Sequence, residues 1–578
     1  MSLKSKVADV IVDYLVASGV KCVYGIAGDS LNAFTENFRR RTDIMWVNTR
    51  HEEAAAFAAG AEAQLTGRLS ACAGSCGPGN LHLINGLYDA NRSRSPVVAI
   101  ASQIPSSEIG TNYFQETHPE YLFRDCSVYC GVVSEPGQVG SIMSIAIQSS
   151  IGRRGVSVVV VPGDVAWAEA EATGPLDFSD ANPVVTPPAE DVRRAAELLN
   201  AAGRVTIFAG AGCSGAHQEL VSVAAKLKAP IVHTLRGKEY VEYDNPFDVG
   251  LTGLLGFSSG YYAMMDSDVL LILGADFPYR QFYPARAKIV QVDVRREQIG
   301  RRVRVDVGVV GDVKAFLHAL IPLVSDKEDD KHLQASLEHY RNARESLDKH
   351  ASIGDGKAPV RPQYLVKLVD QLASDDAIIT CDVGTPTLWA ARYIRMNGKR
   401  RLLGSFSHGS MANALPQAIG AQLSHPNRQV VSLSGDGGLS MLLGELLTLV
   451  QHDLPVKVIV FNNSALSYVE LEMKAEGLLP YGTELKNPNF ASVAQSIGIA
   501  GIRVEEPTNL RQALIDTLNS KGPALLDVVV NRNELVTPPK LTWKELTGFG
   551  LYLIKAVLNG QGNEVIDLAK SNLFDTKF

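Results

Sequence analysis

The stretch QVVSLSGDGG (429–438), continued by LSMLLGELLTLVQH (439–452) and VKVIVFNN (456–463), decides the fold. Two apolar, β-branched runs flank a segment of helical periodicity, and each run ends in turn residues. That is the sequence form of a strand, a crossover helix and a second strand buried on both faces of a parallel sheet. Twenty-four residues (438–461) separate GDG from NN. If the two strands are neighbours, Asp436 and Asn463 emerge together at the carboxyl ends of one sheet, where open α/β sheets bind ligands. The chemistry fits that place. Gly437 and Gly438 let the backbone approach a diphosphate at a helix N-terminus. Asp436, the Asn463 amide oxygen and a backbone carbonyl are hard oxygen donors that, with a diphosphate and water, complete an octahedral Mg²⁺ shell. The competing reading, a tight turn and a strand cap, explains GDG alone. It does not explain the pair in two strand contexts.

The same alternation extends in both directions. VVAIAS (97–102), VSVVVVPGD (156–164), VTIFAGAG (205–212), VLLILGAD (269–276) and KIVQVD (288–293) read as buried strands between amphipathic stretches. The expected fold class is therefore α/β, with three doubly wound parallel-sheet domains and a short C-terminal helical tail. Two seams, Pro-rich NPVVTPPAED (182–191) and the charged, Gly/Pro-rich region from Asp326 to Pro362, read as linkers. A third, VTPPK (536–540), precedes the tail. The expected blocks are residues 1–182, 183–340 and 345–530, followed by the tail 531–578.

At 578 residues the chain has room for these domains, and its net charge of -7 gives no basic nucleic-acid footprint. No run of about eighteen apolar residues spans a bilayer. The N-terminal MSLKSKVADVIVDYLVASG lacks an apolar signal core, so the chain reads as cytosolic. Seven cysteines, an odd number, do not make a disulfide framework. The pairs Cys72/Cys76 and Cys126/Cys130 read as reduced, part-buried thiols in preference to zinc ligands. HEEAA (51–55) lacks the second histidine of a zinc-protease helix, since Ala55 stands there. Gly210-x-Gly212-x-x-Gly215 follows a strand, but the next strand (PIVHTLRG) carries no acid for a ribose, so nicotinamide binding in that mode is not expected.

GDG followed by NN at this spacing resembles the signature of the thiamine-diphosphate-dependent enzymes, and the resemblance extends along nearly the whole chain. It is carried by RHEEAAAFAAGAEAQL (50–65), CAGSCGPGNLHLINGLYDANR (72–92), IPSSEIGTNYFQETHPE (104–120), CDVGTPTLWAARY (381–393) and LGSFSHGSMANALPQAIGAQ (403–422). Within the family the chain is similar to the quinone-linked pyruvate-oxidising flavoenzymes. The resemblance implies a pyrimidine-binding first block, an FAD-binding middle block and a diphosphate/Mg²⁺-binding third block.

It also assigns roles. Glu52 is the carboxyl that hydrogen-bonds N1′ of the aminopyrimidine, a task suited to a dry pocket. Gly409, Ser410 and Met411 hold the pyrimidine, with Met411 the wedge that bends the cofactor. Asp436, Asn463 and Ala465 hold the metal. Gly437, Gly438, Ser464, Leu466, Ser467, Tyr468 and Val469 line the rest of the thiamine-diphosphate site. Phe114 and Gln115 face the substrate, and Glu472 handles intermediates. FAD contacts fall on Leu254, Leu255, Gly256 and Phe257, on Phe277, Pro278, Tyr279, Arg280 and Gln281, and on Arg295. Ser467-Tyr468 stands where Gly-Phe is expected, so a tyrosine serves as the aromatic gate and its hydroxyl needs a partner.

The implied reaction converts pyruvate to acetate and CO₂, with electrons passing through FAD to a membrane quinone. The implied assembly is a homotetramer. Residues 541–558 carry Trp543, Leu546, Leu553, Ile554 and Val557 on one helical face, with Phe549 and Tyr552 off it. This tail is expected to lie on a lipid surface, placing the active enzyme on the cytoplasmic face of the cell membrane. The alternatives are a soluble decarboxylase, an acetolactate synthase or a phosphate-dependent oxidase of the same cofactor class, or, from another class, an inactive flavin-binding scaffold.

Overall fold

The computed structural model describes residues 4–171, 184–354, 356–534 and 551–556. It contains three six-stranded sheets, one in each block, and their strand pairs are parallel throughout. With strands numbered within each sheet, the first and third sheets share the order 2-1-3-4-6-5, and the middle sheet runs 3-2-1-4-5-6. A two-stranded antiparallel ribbon, Lys4–Lys6 with Glu169–Glu171, closes the first domain. The strands Val97–Gln103 and Val156–Pro162 are buried along their full length, as the unbroken apolar runs require.

The two deciding strands, Val430–Gly435 and Lys457–Asn462, are parallel neighbours with Gly435 opposite Phe461. Asp436 and Asn463 therefore leave adjacent strands at the same sheet end. Asp382, directly after strand Ile378–Cys381, emerges across the topological switch point from Asp436, because that strand pairs with Val430–Gly435 on its other side.

Two sequence expectations are corrected. The segment 439–452 is not one helix: Asp436–Met441 and Glu445–Gln451 are separate, with Leu442 between them packed on Ala54 and Ala412. The region Asp326–Pro362 is not linker throughout, because Lys331–His350 forms a 20-residue helix. Its charged sequence hid the few apolar residues, Leu337, Tyr340 and Leu347 among them, that pack on neighbouring cores.

The Ala-rich helix Glu52–Thr66 is buried on nearly all sides, which its lack of a polar face anticipates. Small residues let its neighbours come close. A Cβ on Gly86 of helix Pro78–Arg92 would lie 2.6 Å from Ala56, and one on Gly420 of helix Ala414–Ser424 would lie 2.1 Å from the Ala58 carbonyl oxygen. The Glu52 helix is thus clamped between its own domain and the third. Gly420→Val is expected to destabilise the chain by about 1–3 kcal/mol through overpacking. Denaturant unfolding checks this, and an unchanged midpoint would contradict it.

Candidate active site

Asp436 is almost wholly buried and gathers donors from three segments. Its Oδ1 accepts from Gly437 N at 2.8 Å. Its Oδ2 accepts from Asn463 N at 3.0 Å, Ser464 N at 2.7 Å and Asn487 Nδ2 at 2.8 Å. Burial raises the Asp436 pKa, and these donors pull it back. Asn463 Oδ1 accepts from Ala465 N at 3.1 Å, while its Nδ2 donates to Ser467 Oγ. The Ala465 carbonyl accepts from Ser467 Oγ at 3.4 Å. The turn is held with Ser464 at a φ of 56°, an uncommon value for a side-chain-bearing residue. The Asp436 carboxylate, the Asn463 amide oxygen and the Ala465 carbonyl thus belong to one hydrogen-bonded unit.

The glycines have a more specific reason than access to a diphosphate. A Cβ on Gly437 would lie 2.9 Å from Leu466 Cδ2 and 3.2 Å from the Met411 methyl. A Cβ on Gly438 would lie 2.1 Å from Asp382 Oδ2. Met411 is thereby placed against the GDGG turn. Asp382 accepts from Gly435 N and Ala414 N, both at 3.2 Å, and so binds the turn to the segment after Met411. In that segment Ala412 is left-handed, with φ 66°. Gly409 is also left-handed, and the space beside its Cα is open.

In the first domain Glu52 opens its helix and is buried. His82 Nδ1 lies 2.9 Å from Glu52 Oε2. The His51 ring stacks on His82 with centroids 4.3 Å apart, and His51 caps the helix by accepting from Glu53 N. Gly79 leaves room for the Glu52 carboxyl, since a Cβ there would lie 3.1 Å from Oε1. Gln115, with φ 64°, accepts from Cys76 Sγ at 3.4 Å, and Phe114 beside it is 78% exposed. The remaining cysteines are free thiols, and burial pushes Cys130 up to about 11.

Tyr468 and Glu472 share a face of helix Ser467–Ala475. Burial raises the Tyr468 phenol, with Glu472 and then Tyr279 of the middle domain as its next influences. Glu472 is also raised, by desolvation and then Glu476. Val469 faces outward, whereas Glu470 is buried and ion-paired with Arg532.

In the middle domain Gly210 and Gly212 are required by the backbone of Gly274, which a Cβ on either would strike at 2.3 and 2.7 Å. The glycine motif here closes a loop crossing. Among the flavin-assigned positions, Phe257 packs edge-on to Tyr340 and Phe277 joins an aromatic cluster with Phe208 and Tyr283. The Leu255 and Gly256 carbonyls accept from Arg392. Leu254, Pro278, Tyr279, Arg280 and Gln281 are exposed. Arg280 donates to the Arg301 carbonyl at 3.5 Å. Burial and then Arg295 push Arg94 down to about 10. Arg236 influences Arg94 electrostatically in the same sense, and Asp293 and Asp276 in the opposite sense. Arg295 Nε donates no hydrogen bond among the described residues but lies 3.7 Å from Glu297 Oε1.

Three family descriptions match in order: the thiamine pyrophosphate enzyme N-terminal TPP binding domain over residues 5–122, the central domain over 192–320 and the C-terminal TPP binding domain over 382–528. The chain belongs to the thiamine pyrophosphate enzyme family. It is 37% identical to YdaP of Bacillus subtilis (strain 168) over 559 residues, 96% of each chain. It is 31% identical to the pyruvate oxidase of Lactiplantibacillus plantarum (strain ATCC BAA-793 / NCIMB 8826 / WCFS1), covering 92% of this chain and 89% of that one. It is also 31% identical to the acetolactate synthase isozyme 1 large subunit of Escherichia coli (strain K12), covering 92% and 95%.

The donor set fits the family's cofactor. Three hard oxygens held in one hydrogen-bonded turn suit Mg²⁺, and Gly409 leaves open space two residues before Met411. His51, Glu52 and His82 also offer ligand atoms within 4.8 Å of one another, but two imidazoles are a poor match for Mg²⁺. His82, Asp382 and Asn487 are functional candidates that the motifs did not reveal. His82 stood in the quoted GPGNLHLINGLYDAN, and Asp382 ends a strand, so both left a signal; Asn487 left none. Asn487→Ala is expected to weaken Mg²⁺-dependent thiamine-diphosphate binding by about tenfold or more, the usual cost of losing a partner behind a metal ligand. Calorimetric titration checks this, and wild-type affinity would contradict it.

Proposed function

We propose that this family member oxidises pyruvate to acetate and CO₂, passing two electrons through FAD to a membrane quinone. Water supplies the added oxygen, and the two protons balance quinol formation. The pairing of a hard-oxygen site at Asp436, Asn463 and Ala465 with a buried carboxyl, Glu52, held by His82 carries the thiamine-diphosphate part of the reading, and the 31% identity to a pyruvate oxidase supports the oxidation of pyruvate. Thiamine diphosphate, when bound, supplies a sink for the electron pair released with CO₂.

The chain's residues do the rest. Asp436, Asn463 and Ala465 hold the Mg²⁺ and diphosphate end. Gly409, Ser410 and Met411 hold the pyrimidine. Glu52 shares a proton at pyrimidine N1′, and His82 fixes the carboxyl's orientation. Phe114 and Gln115 meet the substrate. The exposed apolar side chains Ile109, Tyr113, Phe114 and Tyr121 in one segment support an oligomer, a homotetramer in this reading, in which Glu52 of one subunit serves the diphosphate site of its neighbour. The Arg94–Arg236–Arg295 group supports an anionic flavin in the middle domain.

The tail supports the lipid-surface part of the reading in part only. Trp543, Leu546, Phe549 and Val557 lie outside the described residues. Within 551–556, Tyr552 is buried, with Lys474 Nζ 5.3 Å from its ring centroid, and Lys555 donates to the Gly477 carbonyl at 2.8 Å. Ile554 is 60% exposed. Tyr552 is therefore on the docked face, while Ile554 and Leu551 are left outward. No helix among the described residues is long and apolar enough to cross a membrane. We place the active enzyme at the cytoplasmic face of the cell membrane.

Acetolactate formation is a second reading, favoured by the equal identity to the acetolactate synthase subunit. With pyruvate, thiamine diphosphate and Mg²⁺ under anaerobic conditions, the flavin is expected to bleach and acetate to form. Persistent yellow colour with acetolactate as product would overturn the oxidative reading. Removing residues from Lys540 onward is expected to abolish vesicle binding while dye-linked pyruvate oxidation continues; unchanged vesicle association would retire the tail's role.

A further inference from the structure

Helix Pro78–Arg92 of the first domain presents Asn85 and Asp89, four residues apart and on one face, to a loop more than 300 residues away. Asp89 is 3% exposed and Ser405 is fully buried. Ser405 Oγ donates to Asp89 Oδ1 at 2.7 Å and accepts from Gly409 N at 3.1 Å and Ser410 N at 3.0 Å. One hydroxyl, oriented by one buried carboxylate, therefore folds the SHGS turn back on itself. Asn85 grips the same turn from the other side. Its Nδ2 donates to Ser410 Oγ at 2.8 Å and its Oδ1 lies 2.8 Å from His408 Nε2. Ser410 Oγ in turn donates to the Met411 carbonyl at 2.9 Å.

These contacts address a strained segment. Gly409 and Ala412 are both left-handed, and Ala412 carries a side chain. Such a backbone persists only where its surroundings over-determine it. Asp382 fixes the segment after Met411, while Asp89 and Asn85 fix the segment before it. A loop without those two anchors samples other conformations, and its apparent affinity falls by the fraction lost from the competent shape.

We propose that Asp89, acting through Ser405, and Asn85, acting through Ser410, are positioning residues that set the 405–411 loop in its cofactor-binding shape before the cofactor arrives. The first domain of the chain thereby governs cofactor affinity in its own third domain. This rests on the reading that Gly409 to Met411 receive the aminopyrimidine of thiamine diphosphate.

The test is calorimetric titration of thiamine diphosphate, in saturating Mg²⁺, into the full-length apoenzyme as wild type, Ser405→Ala, Asp89→Asn, Asn85→Ala and the double variant Ser405→Ala/Asp89→Asn. Ser405→Ala and Asp89→Asn are each expected to raise Kd by about tenfold, the size of a lost charge-assisted hydrogen bond. The double variant is expected to fall within about twofold of the weaker single one, because the two residues act as one chain of contacts. For both single variants kcat at saturating cofactor stays within about threefold of wild type, a Kd-against-kcat split that general destabilisation does not give. Wild-type Kd in Ser405→Ala, or a kcat loss without a change in Kd, would overturn the inference. Should Asp89→Asn fail to fold, Ser405→Ala decides it alone. Failure of the wild type itself to bind thiamine diphosphate would instead overturn the reading on which the inference rests.

Discussion

One carboxylate organises the third domain. Asp436 ties the end of its own strand to the end of the next by accepting from Asn463 and Ser464, and it draws in Asn487 from a later loop. A buried carboxylate is costly unless its lone pairs are filled, and here backbone and amide donors fill them. The arrangement fixes where the Asn463 amide and the Ala465 carbonyl lie. It also makes the two following glycines obligatory, since Leu466, Met411 and Asp382 occupy the space a side chain would need.

Around that centre the architecture repeats. The first and third sheets share one strand order and pack through helices of small residues, so the buried Glu52 helix is held as firmly by the third domain as by its own. Left-handed residues at Gln115, Ala412 and Ser464 mark the three segments involved. Strain of this kind is stored where geometry matters to function and is compensated by packing elsewhere.

Much of this was legible in the sequence, and for identifiable reasons. Parallel strands buried on both faces leave unbroken β-branched runs, so KIVQVD appears as a strand over the same six residues that were read. The Asp436 and Asn463 placement followed from strand ends and spacing. What was not legible depends on contacts between distant segments. Asn487 has no local signature, and Asp89 meets Ser405 only because two domains pack together. The helix Lys331–His350 was hidden by its charge, because only a thin apolar stripe touches the neighbouring cores. The cationic group in the middle domain draws on Arg94 of the first domain, which no pattern within the middle block contains.

The central claim concerns where the metal sits. Anomalous diffraction from crystals grown with thiamine diphosphate and Mn²⁺ in place of Mg²⁺ addresses it directly. The account predicts one strong peak within oxygen-ligand distance of Asp436, Asn463 and Ala465. A peak at His51, Glu52 and His82 with the Asp436 turn empty would contradict it.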